Sequence, residues 1–334
     1  MSTQRILSLD GGGIRGVLTT SILERLDKEC PGFLSKVDLF AGTSTGGLIA
    51  LGLAHGARLQ EIQDIYIAKG SKVFADTLLD DIFDLGQIVG AQYDNRNLER
   101  ELKRILGKTT LAELQKKVLI TAFDLENGSG PDRSWKPKLF HNFAGEDSDG
   151  TIPAYKVGLY TSAAPSYFPS VDGYIDGGVF ANNPSMCALA QTQDPRAGVP
   201  SKLSDILLLS IGTGRPVHYI PGRRHDWGYA QWAKPILTLI LDGVDRIADY
   251  QCKMILGEQY HRIQPLLKDS DSFSVDAVKN VPAFVKIAED FKLSDTVDWL
   301  RKYWMKEDSS AAVEHTFIGP YQPVIEAETR EIPS

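Results

Sequence analysis

The feature that most constrains this chain is a recurring order of short apolar run, glycine-rich turn and helical pattern. The apolar run at residues 5–10 precedes three consecutive glycines, and the run at residues 37–43 precedes a second glycine-rich turn. A helical pattern follows each turn, and the second one consists mostly of small and apolar residues, which is typical of a buried helix. Alternating strands and helices of this kind predict an α/β fold with a largely parallel sheet.

The rest of the chain extends this pattern and then departs from it. Residues 205–211 form a continuous apolar run, which suits a central parallel strand that is covered on both faces. Beyond Gly214 the chain becomes mainly helical, with long segments near residues 227–256 and 297–306. With 334 residues, of which 43% are hydrophobic, the chain is long enough for one large core with a C-terminal extension.

Charge and cysteine usage exclude several classes of function. The net charge of −7 makes binding to a nucleic acid polymer improbable, since that binding needs a basic surface. Three widely spaced cysteines form neither a zinc pattern nor a disulfide framework, and we expect no metal and no cofactor. The N-terminus has no apolar signal core and no run of 18 apolar residues occurs, so we expect a cytoplasmic protein.

The second glycine-rich turn carries a G-x-S-x-G motif, in which Gly42 and Gly46 flank Ser44. Such a serine occupies a sharp turn from strand to helix, where its hydroxyl projects into a cleft and its neighbours must be small. The start of the following helix favours negative charge that develops nearby. The motif alone also fits a plain glycine-rich turn, but the strand before it and the helix after it favour a nucleophile.

The first glycine-rich turn reads GGGIRG and comprises Gly11, Gly12, Gly13, Arg15 and Gly16. It resembles a dinucleotide-binding loop, but the second strand does not end in the acidic residue that such a site requires. A phosphate loop is excluded because no Gly-Lys-Ser/Thr sequence is present. Consecutive glycines instead favour an oxyanion hole built from backbone N–H groups. Arg15 either steadies this loop, meets a phosphate head group or forms an ordinary surface ion pair.

A third segment, Asp176-Gly177-Gly178, follows an apolar run, and an Asp-Gly pair is by default a turn. A serine nucleophile needs a base, and a catalytic triad would supply a histidine. None of the six histidines has a distinctive flanking motif, although two lie where a triad histidine is plausible. They are His55, His141, His218, His225, His261 and His315. On the residues alone, a triad stays open.

The three blocks GGGIRG, GTSTG and DGG, in this order, resemble the signature set of the patatin-like phospholipase family. The resemblance covers roughly residues 5–215, and SAAP at 162–165 and NNP at 182–184 fit it as well. It implies a three-layer α/β/α fold with a mostly parallel central sheet. We therefore predict a catalytic domain at residues 5–215 and a mainly helical C-terminal extension at residues 216–334.

The resemblance also implies a serine–aspartate dyad that uses no histidine. Carried onto this chain, Ser44 is the nucleophile, Asp176 is the proton acceptor, and the N–H groups of Gly11–Gly13 form the oxyanion hole. We expect support from six residues close to these groups. They are Arg15, Gly16, Gly42, Gly46, Gly177 and Gly178. The expected substrate is a phospholipid or another acyl-ester lipid, hydrolysed through an acyl-serine intermediate.

Three other hypotheses stay open. The chain could be a general esterase or thioesterase with a triad, or a non-catalytic storage or binding protein on the same scaffold. Some compact bacterial members of the family are effectors switched on by a nucleotide second messenger, so a cyclic-nucleotide activator is a third hypothesis.

Contact with a membrane surface is a separate expectation. Residues 227–244 combine two tryptophans with an apolar run, which suits transient contact with a membrane surface. The same run also fits a buried core helix, and the residues alone favour that interpretation.

Overall fold

The computed structural model describes residues 3–70, 95–128, 132–165, 167–197, 200–217, 219–220, 226–267 and 278–306. The strands are β1 Gln4–Leu9, β2 Leu39–Thr43, β3 Lys117–Asn127, β4 Ser134–His141, β5 Tyr174–Asp176, β6 Ile206–Ile211, β7 Arg215–Pro216, β8 Tyr260–Ile263 and β9 Leu266–Leu267. The α-helices are α1 Gly16–Glu29, α2 Thr45–His55, α3 Leu59–Ile67, α4 Asn95–Leu106, α5 Ala154–Ser162, α6 Gly178–Ala181, α7 Ser185–Gln191, α8 Tyr229–Leu256, α9 Val281–Asp290 and α10 Ser294–Trp299.

A mixed sheet organises the described part of the chain. Its strands lie in the order β4-β3-β2-β1-β6-β8, and β5 also pairs with β3. The pairs from β3 through to β8 are parallel, whereas β4 and β5 run antiparallel to β3. The prediction of an α/β fold with a mostly parallel sheet is therefore confirmed.

Helices cover both faces of this sheet. Along β1 the alternating residues Ile6 and Leu7 are fully buried in two different apolar clusters. The larger cluster joins one face of the sheet to α1, α2, α4, α5, α9 and α10, and the smaller cluster joins the other face to α7 and α8. These two clusters make the three-layer arrangement that the apolar strands predict.

The region after residue 215 is mainly helical, as expected, but it also completes the sheet. Strand β8 pairs with β6 in parallel, and α9 packs on α1. The sequence Tyr-His-Arg-Ile of β8 contains two polar residues, so it does not stand out as a buried strand. The domain boundary at residue 215 stays a prediction.

A buried ion pair ties β8 to the end of β1. Arg262 donates from Nη1 to Oδ1 of Asp10 at 2.8 Å and from Nη2 to Oδ2 of the same carboxylate. It also donates to the hydroxyl of Ser210 on β6, the strand between them, at 2.7 Å. Asp10 is only 1% exposed, so its carboxylate depends on this partner for compensation.

Helix α8 does not match the core interpretation of its apolar run. Ile236, Leu239 and Ile240 are 45%, 49% and 50% exposed. The core interpretation is therefore wrong for these three side chains. Among the side chains of α8 that the structure describes, the buried ones are Ala248, Cys252 and Leu256. No helix of the described residues is long and apolar enough to cross a bilayer.

We expect Arg262→Met to lower the free energy of unfolding by about 3–5 kcal/mol, because it removes the cation that is hydrogen-bonded to the buried Asp10 carboxylate. Chemical denaturation measures this loss. Burial already raises the pKa of Asp10, and without Arg262 that pKa rises further. A raised carboxyl pKa favours the folded state at low pH, so the loss of stability should grow as the pH rises.

The control is Arg246→Met on the surface of α8. Arg246 pairs with Asp242 at 2.7 Å, but its side chain is 60% exposed, so its removal should change stability by no more than about 0.5 kcal/mol. Equal losses in the two variants would contradict the assigned role of the buried pair.

Candidate active site

Ser44 stands on a strained turn between β2 and α2. Its backbone has φ 52° and ψ −124°, a conformation that a residue with a side chain rarely adopts. The Ser44 N–H donates to the hydroxyl of Thr161 on α5 at 2.8 Å, which anchors the turn from below. The side chain is partly exposed, as a nucleophile must be.

The predicted glycines allow this turn because backbone passes very close on both sides. A Cβ on Gly46 would lie 2.1 Å from the carbonyl oxygen of Leu9 on β1. A Cβ on Gly42 would lie 2.4 Å from the carbonyl oxygen of Gly46. Both obstacles are backbone atoms, so no side-chain rearrangement can relieve them. The two glycines of the G-x-S-x-G motif are therefore required by the close packing around the strained Ser44 turn, which we call the elbow.

Asp176 ends the short strand β5 and is 6% exposed. Its N–H donates to the carbonyl of Ala163 at 3.0 Å, and its Oδ1 accepts the N–H of Gly178 at 2.7 Å. A Cβ on Gly177 would lie 2.1 Å from the Thr121 hydroxyl on β3. The two glycines thus let the chain press against β3 while it caps the carboxylate.

The structure brings Ser44 and Asp176 together, although 131 residues lie between them in the sequence. Burial raises the pKa of Asp176 to about 6, while hydrogen bonds from the Ser44 side chain and the Gly178 N–H lower it. A carboxylate with this pKa is a stronger base than a solvated aspartate and is still ionised at neutral pH.

The glycine loop after β1 lies directly beside Ser44. A Cβ on Gly11 would lie 3.3 Å from Cβ of Ser44, but the Gly11 N–H donates to the carbonyl of Asn182 at 3.1 Å. Among the described residues, the N–H groups of Gly12 and Gly13 have no hydrogen-bond partner. Gly13 has φ +56°, which turns the loop into a 3₁₀ turn. Of the three predicted donors, Gly12 and Gly13 are the ones left free for a substrate oxygen.

Arg15 turns inward behind this loop, so it is not the surface ion pair that the residues left open. Its Nε is buried and has no hydrogen-bond partner among the described residues. Burial lowers the pKa of its guanidinium, whereas the nearby charges of Asp245 and Asp10 raise it. Gly16 follows, and a Cβ there would lie 2.2 Å from the Thr45 hydroxyl.

The described histidines lie elsewhere. His55 ends α2, at the opposite end of that helix from Ser44. His141 is 4% exposed and its Nε2 lies 3.7 Å from Asp147, whereas His261 hydrogen-bonds Thr296. None of the three forms a hydrogen bond or an ion pair with Ser44 or Asp176 in the described part of the chain. His218, His225 and His315 lie outside the described residues.

A strained serine between a parallel strand and a helix, on a three-layer α/β/α fold, defines the class of serine ester hydrolases. The chain belongs to the patatin-like phospholipase family, whose model matches residues 7–189. At the level of that family it is a lipid acyl hydrolase.

Curated relatives agree with this family. The chain is 29% identical over 287 residues to a cGAMP-activated phospholipase of Pseudomonas aeruginosa, covering 84% of this chain and 83% of that protein. It is 35% identical over 233 residues to a cGAMP-activated phospholipase of Vibrio cholerae, covering 63% of this chain and 64% of that protein. It is also 28% identical to patatin-like protein 1 of Oryza sativa, in an alignment that covers 85% of this chain and 80% of that protein.

Four residues at the site make contacts that the sequence motifs do not predict. Thr161 holds the Ser44 turn, and Asn182 accepts the Gly11 N–H. From the region after residue 215, Asp245 accepts a hydrogen bond from Asn182, and Arg262 pairs with Asp10, which precedes the glycine loop. Asn182 lies in the NNP block, which predicts a loop but does not predict the hydrogen bond between Asn182 and Gly11. No local signal marks the other three, because their partners are distant in the sequence.

We expect Gly46→Ala to prevent correct formation of the elbow, because its Cβ would overlap the Leu9 carbonyl oxygen. The free energy of unfolding should fall by at least about 3 kcal/mol, the upper range for overpacking. Thermal unfolding measures this change.

The matched control is Gly243→Ala in the middle of α8, where a Cβ would meet nothing within 4 Å. Alanine there should stabilise the helix by up to about 1 kcal/mol. If Gly46→Ala were as stable as Gly243→Ala, the close approach of α2 to β1 would be wrong.

Proposed function

We propose that this protein hydrolyses acyl esters of membrane phospholipids, with Ser44 as nucleophile and Asp176 as the base. The observation that carries the proposal is the proximity of the Ser44 side chain, on its strained turn, to the buried Asp176 carboxylate, whose pKa is about 6. The family match and the phospholipase names of the relatives support the substrate class.

In the first step, Asp176 accepts the hydroxyl proton while Oγ of Ser44 attacks the ester carbonyl carbon. The carbonyl oxygen becomes an oxyanion, and the free N–H groups of Gly12 and Gly13 are the donors best placed to stabilise it. The tetrahedral intermediate then collapses, and the leaving alkoxide takes the proton from Asp176 and departs as the lysolipid.

In the second step, water attacks the acyl-serine. Asp176 removes a proton from this water and returns it to Oγ of Ser44 when the fatty acid leaves. One carboxylate thus acts as base and then as acid in each half-reaction. A pKa near 6 suits both roles, since the catalytic pKa is best placed close to the working pH.

We expect Ser44→Ala and Asp176→Asn each to reduce kcat by at least about 1,000-fold while the protein stays folded. The first variant lacks the nucleophile and the second lacks the base, and neither residue can act without the other. Hydrolysis of a phospholipid vesicle and of a soluble short-chain ester measures the loss. Since the ionised carboxylate is the base, wild-type activity should be lost as the pH falls through about 6, where Asp176 becomes protonated.

The alternatives give different results. For a general esterase with a triad, replacing one of the six histidines by alanine would abolish activity while the fold persists. For a storage or binding protein, the wild type would show no turnover on any ester. More than a few per cent of activity left in Ser44→Ala would reject the nucleophile.

We also propose that a cyclic nucleotide controls this activity, as in a bacterial effector. The support is the name cGAMP-activated phospholipase carried by relatives that align over most of this chain or nearly two thirds of it. The binding site for the activator is not assigned to particular residues.

We expect one member of a panel of cyclic dinucleotides to raise phospholipid hydrolysis by roughly 5-fold to 150-fold, the usual range of allosteric coupling. The same compound should raise the melting temperature, because a ligand that binds only the folded state stabilises it. The linearised dinucleotide is the control. An unchanged rate and melting temperature with the whole panel would discard the activator.

Finally, we propose a cytoplasmic enzyme that meets the membrane only transiently. Residues 227–244 are the candidate for that contact, because the apolar side chains of Ile236, Leu239 and Ile240 are exposed there. Flotation with phospholipid vesicles, for wild type and for an Ile236→Ser/Ile240→Ser variant, tests this part separately from the chemistry.

A further inference from the structure

One residue of α8 contacts the turn that follows the catalytic aspartate. Oδ2 of Asp245 accepts a hydrogen bond from Nδ2 of Asn182 at 3.0 Å. The backbone carbonyl of the same residue accepts from Nδ2 of Asn183 at 3.5 Å. Both asparagines are thus oriented from a helix that lies outside the residues matched by the family model.

Asn182 contacts the glycine loop on its other side. Its backbone carbonyl accepts the Gly11 N–H at 3.1 Å. Its Oδ1 lies 2.2 Å from the position that a Cβ of Gly11 would take and 3.4 Å from that of Gly178. The carboxamide of Asn182 therefore fills the space between α8, the glycine loop and the turn that caps Asp176.

The orientation of this carboxamide depends on its partner. An ionised carboxylate has only acceptors, so it selects the NH₂ end of an asparagine side chain and turns the oxygen away from itself. With Asp245 ionised, Oδ1 of Asn182 must face Gly11. A neutral amide or a protonated acid at position 245 offers both a donor and an acceptor, and this selection is lost.

We propose that Asp245 is a positioning residue, which acts through Asn182 to hold the Gly11–Gly13 loop in register with Ser44. The inference rests on the proposed function, since the loop is the donor of the oxyanion hole only if Ser44 is acylated. The region after residue 215 then has a role in catalysis, which Asp245 exerts through Asn182 and not by touching the reacting atoms.

The charges around Asp245 make this positioning depend on pH. Burial raises the pKa of Asp245 to about 7, Asp10 after β1 and Asp242 on the same helix raise it as well, and Asn182 and Arg262 lower it. Arg15, on the 3₁₀ turn, places its positive charge close to the same carboxylate. Asp245 therefore ionises near neutrality, at higher pH than Asp176.

The test is Asp245→Asn, with Asp242→Asn as the matched control one turn earlier on α8. Asp242 pairs with Arg246 at the surface, and in the described part of the chain it forms no hydrogen bond with Asn182, whose Nδ2 donates to Asp245. We expect Asp245→Asn to lower kcat by roughly 10-fold to 100-fold with little change in KM, less than the loss of an oxyanion donor outright. Asp242→Asn should stay within about twofold of wild type.

Two further readouts separate positioning from general structure. The acid limb of kcat should have two steps in wild type, near 7 where Asp245 is protonated and near 6 where Asp176 is protonated, and only the step near 6 in Asp245→Asn. Asp245→Glu, which keeps the acceptor, should recover part of the lost kcat. Hydrogen exchange of the peptide covering residues 10–16 should be faster in Asp245→Asn than in wild type or Asp242→Asn.

Several results would overturn the proposal. They are an unchanged kcat and an unchanged acid limb in Asp245→Asn, or a loss of kcat that Asp242→Asn reproduces. If Asp245→Asn does not fold, amide hydrogen exchange of the wild-type protein tests the proposal. The protection of residues 10–16, after correction for the intrinsic exchange rates at each pH, must fall as the pH drops through about 7 and Asp245 becomes protonated. Constant protection overturns the proposal. An inactive wild type with normal pH-dependent protection would instead reject the proposed function and leave Asp245 as the residue that orders the loop.

Discussion

The close approach of α2 to the end of β1 is the constraint on which the rest of the site depends. With no side chain at position 46, the helix start reaches the Leu9 carbonyl and the Ser44 turn comes beside the glycine loop. Any larger residue would separate the two segments. The same contact explains why a strained backbone persists at Ser44: α2, β1 and the Thr161 hydroxyl hold it from three sides.

Polar groups at the ends of the strands then connect the segments of the candidate site with one another. Thr43 hydrogen-bonds both Thr121 on β3 and the carbonyl of Ala181, so the strand before the serine contacts the turn after the aspartate. On the far side, Arg262 and Asp245 hold Asp10 and Asn182. Each loop of the candidate site is therefore held by side chains from other elements, as a pre-organised site requires.

The local parts of this architecture are readable from the sequence, and the distant parts are not. The strands at residues 4–9, 39–43 and 206–211 lie within two residues of the apolar runs that predict them, because buried parallel strands are continuously apolar. The glycines around Ser44 belong to one turn. Arg262 and Asp10, by contrast, are 252 positions apart, and Asn182 and Asp245 are 63 apart. Periodicity also identified α8 as apolar, but it cannot tell which of its two faces is covered.

The position of β8 bears on where this chain can be cut. The family model ends at residue 189, and a shortened protein ending near residue 215 would contain every catalytic motif. It would also expose the edge of β6 that β8 now occupies, and it would leave Asp10 buried without Arg262. An open strand edge is a template for aggregation. We therefore expect a protein cut near residue 215 to be less stable and more prone to aggregation than one that continues through β8, which ends at Ile263.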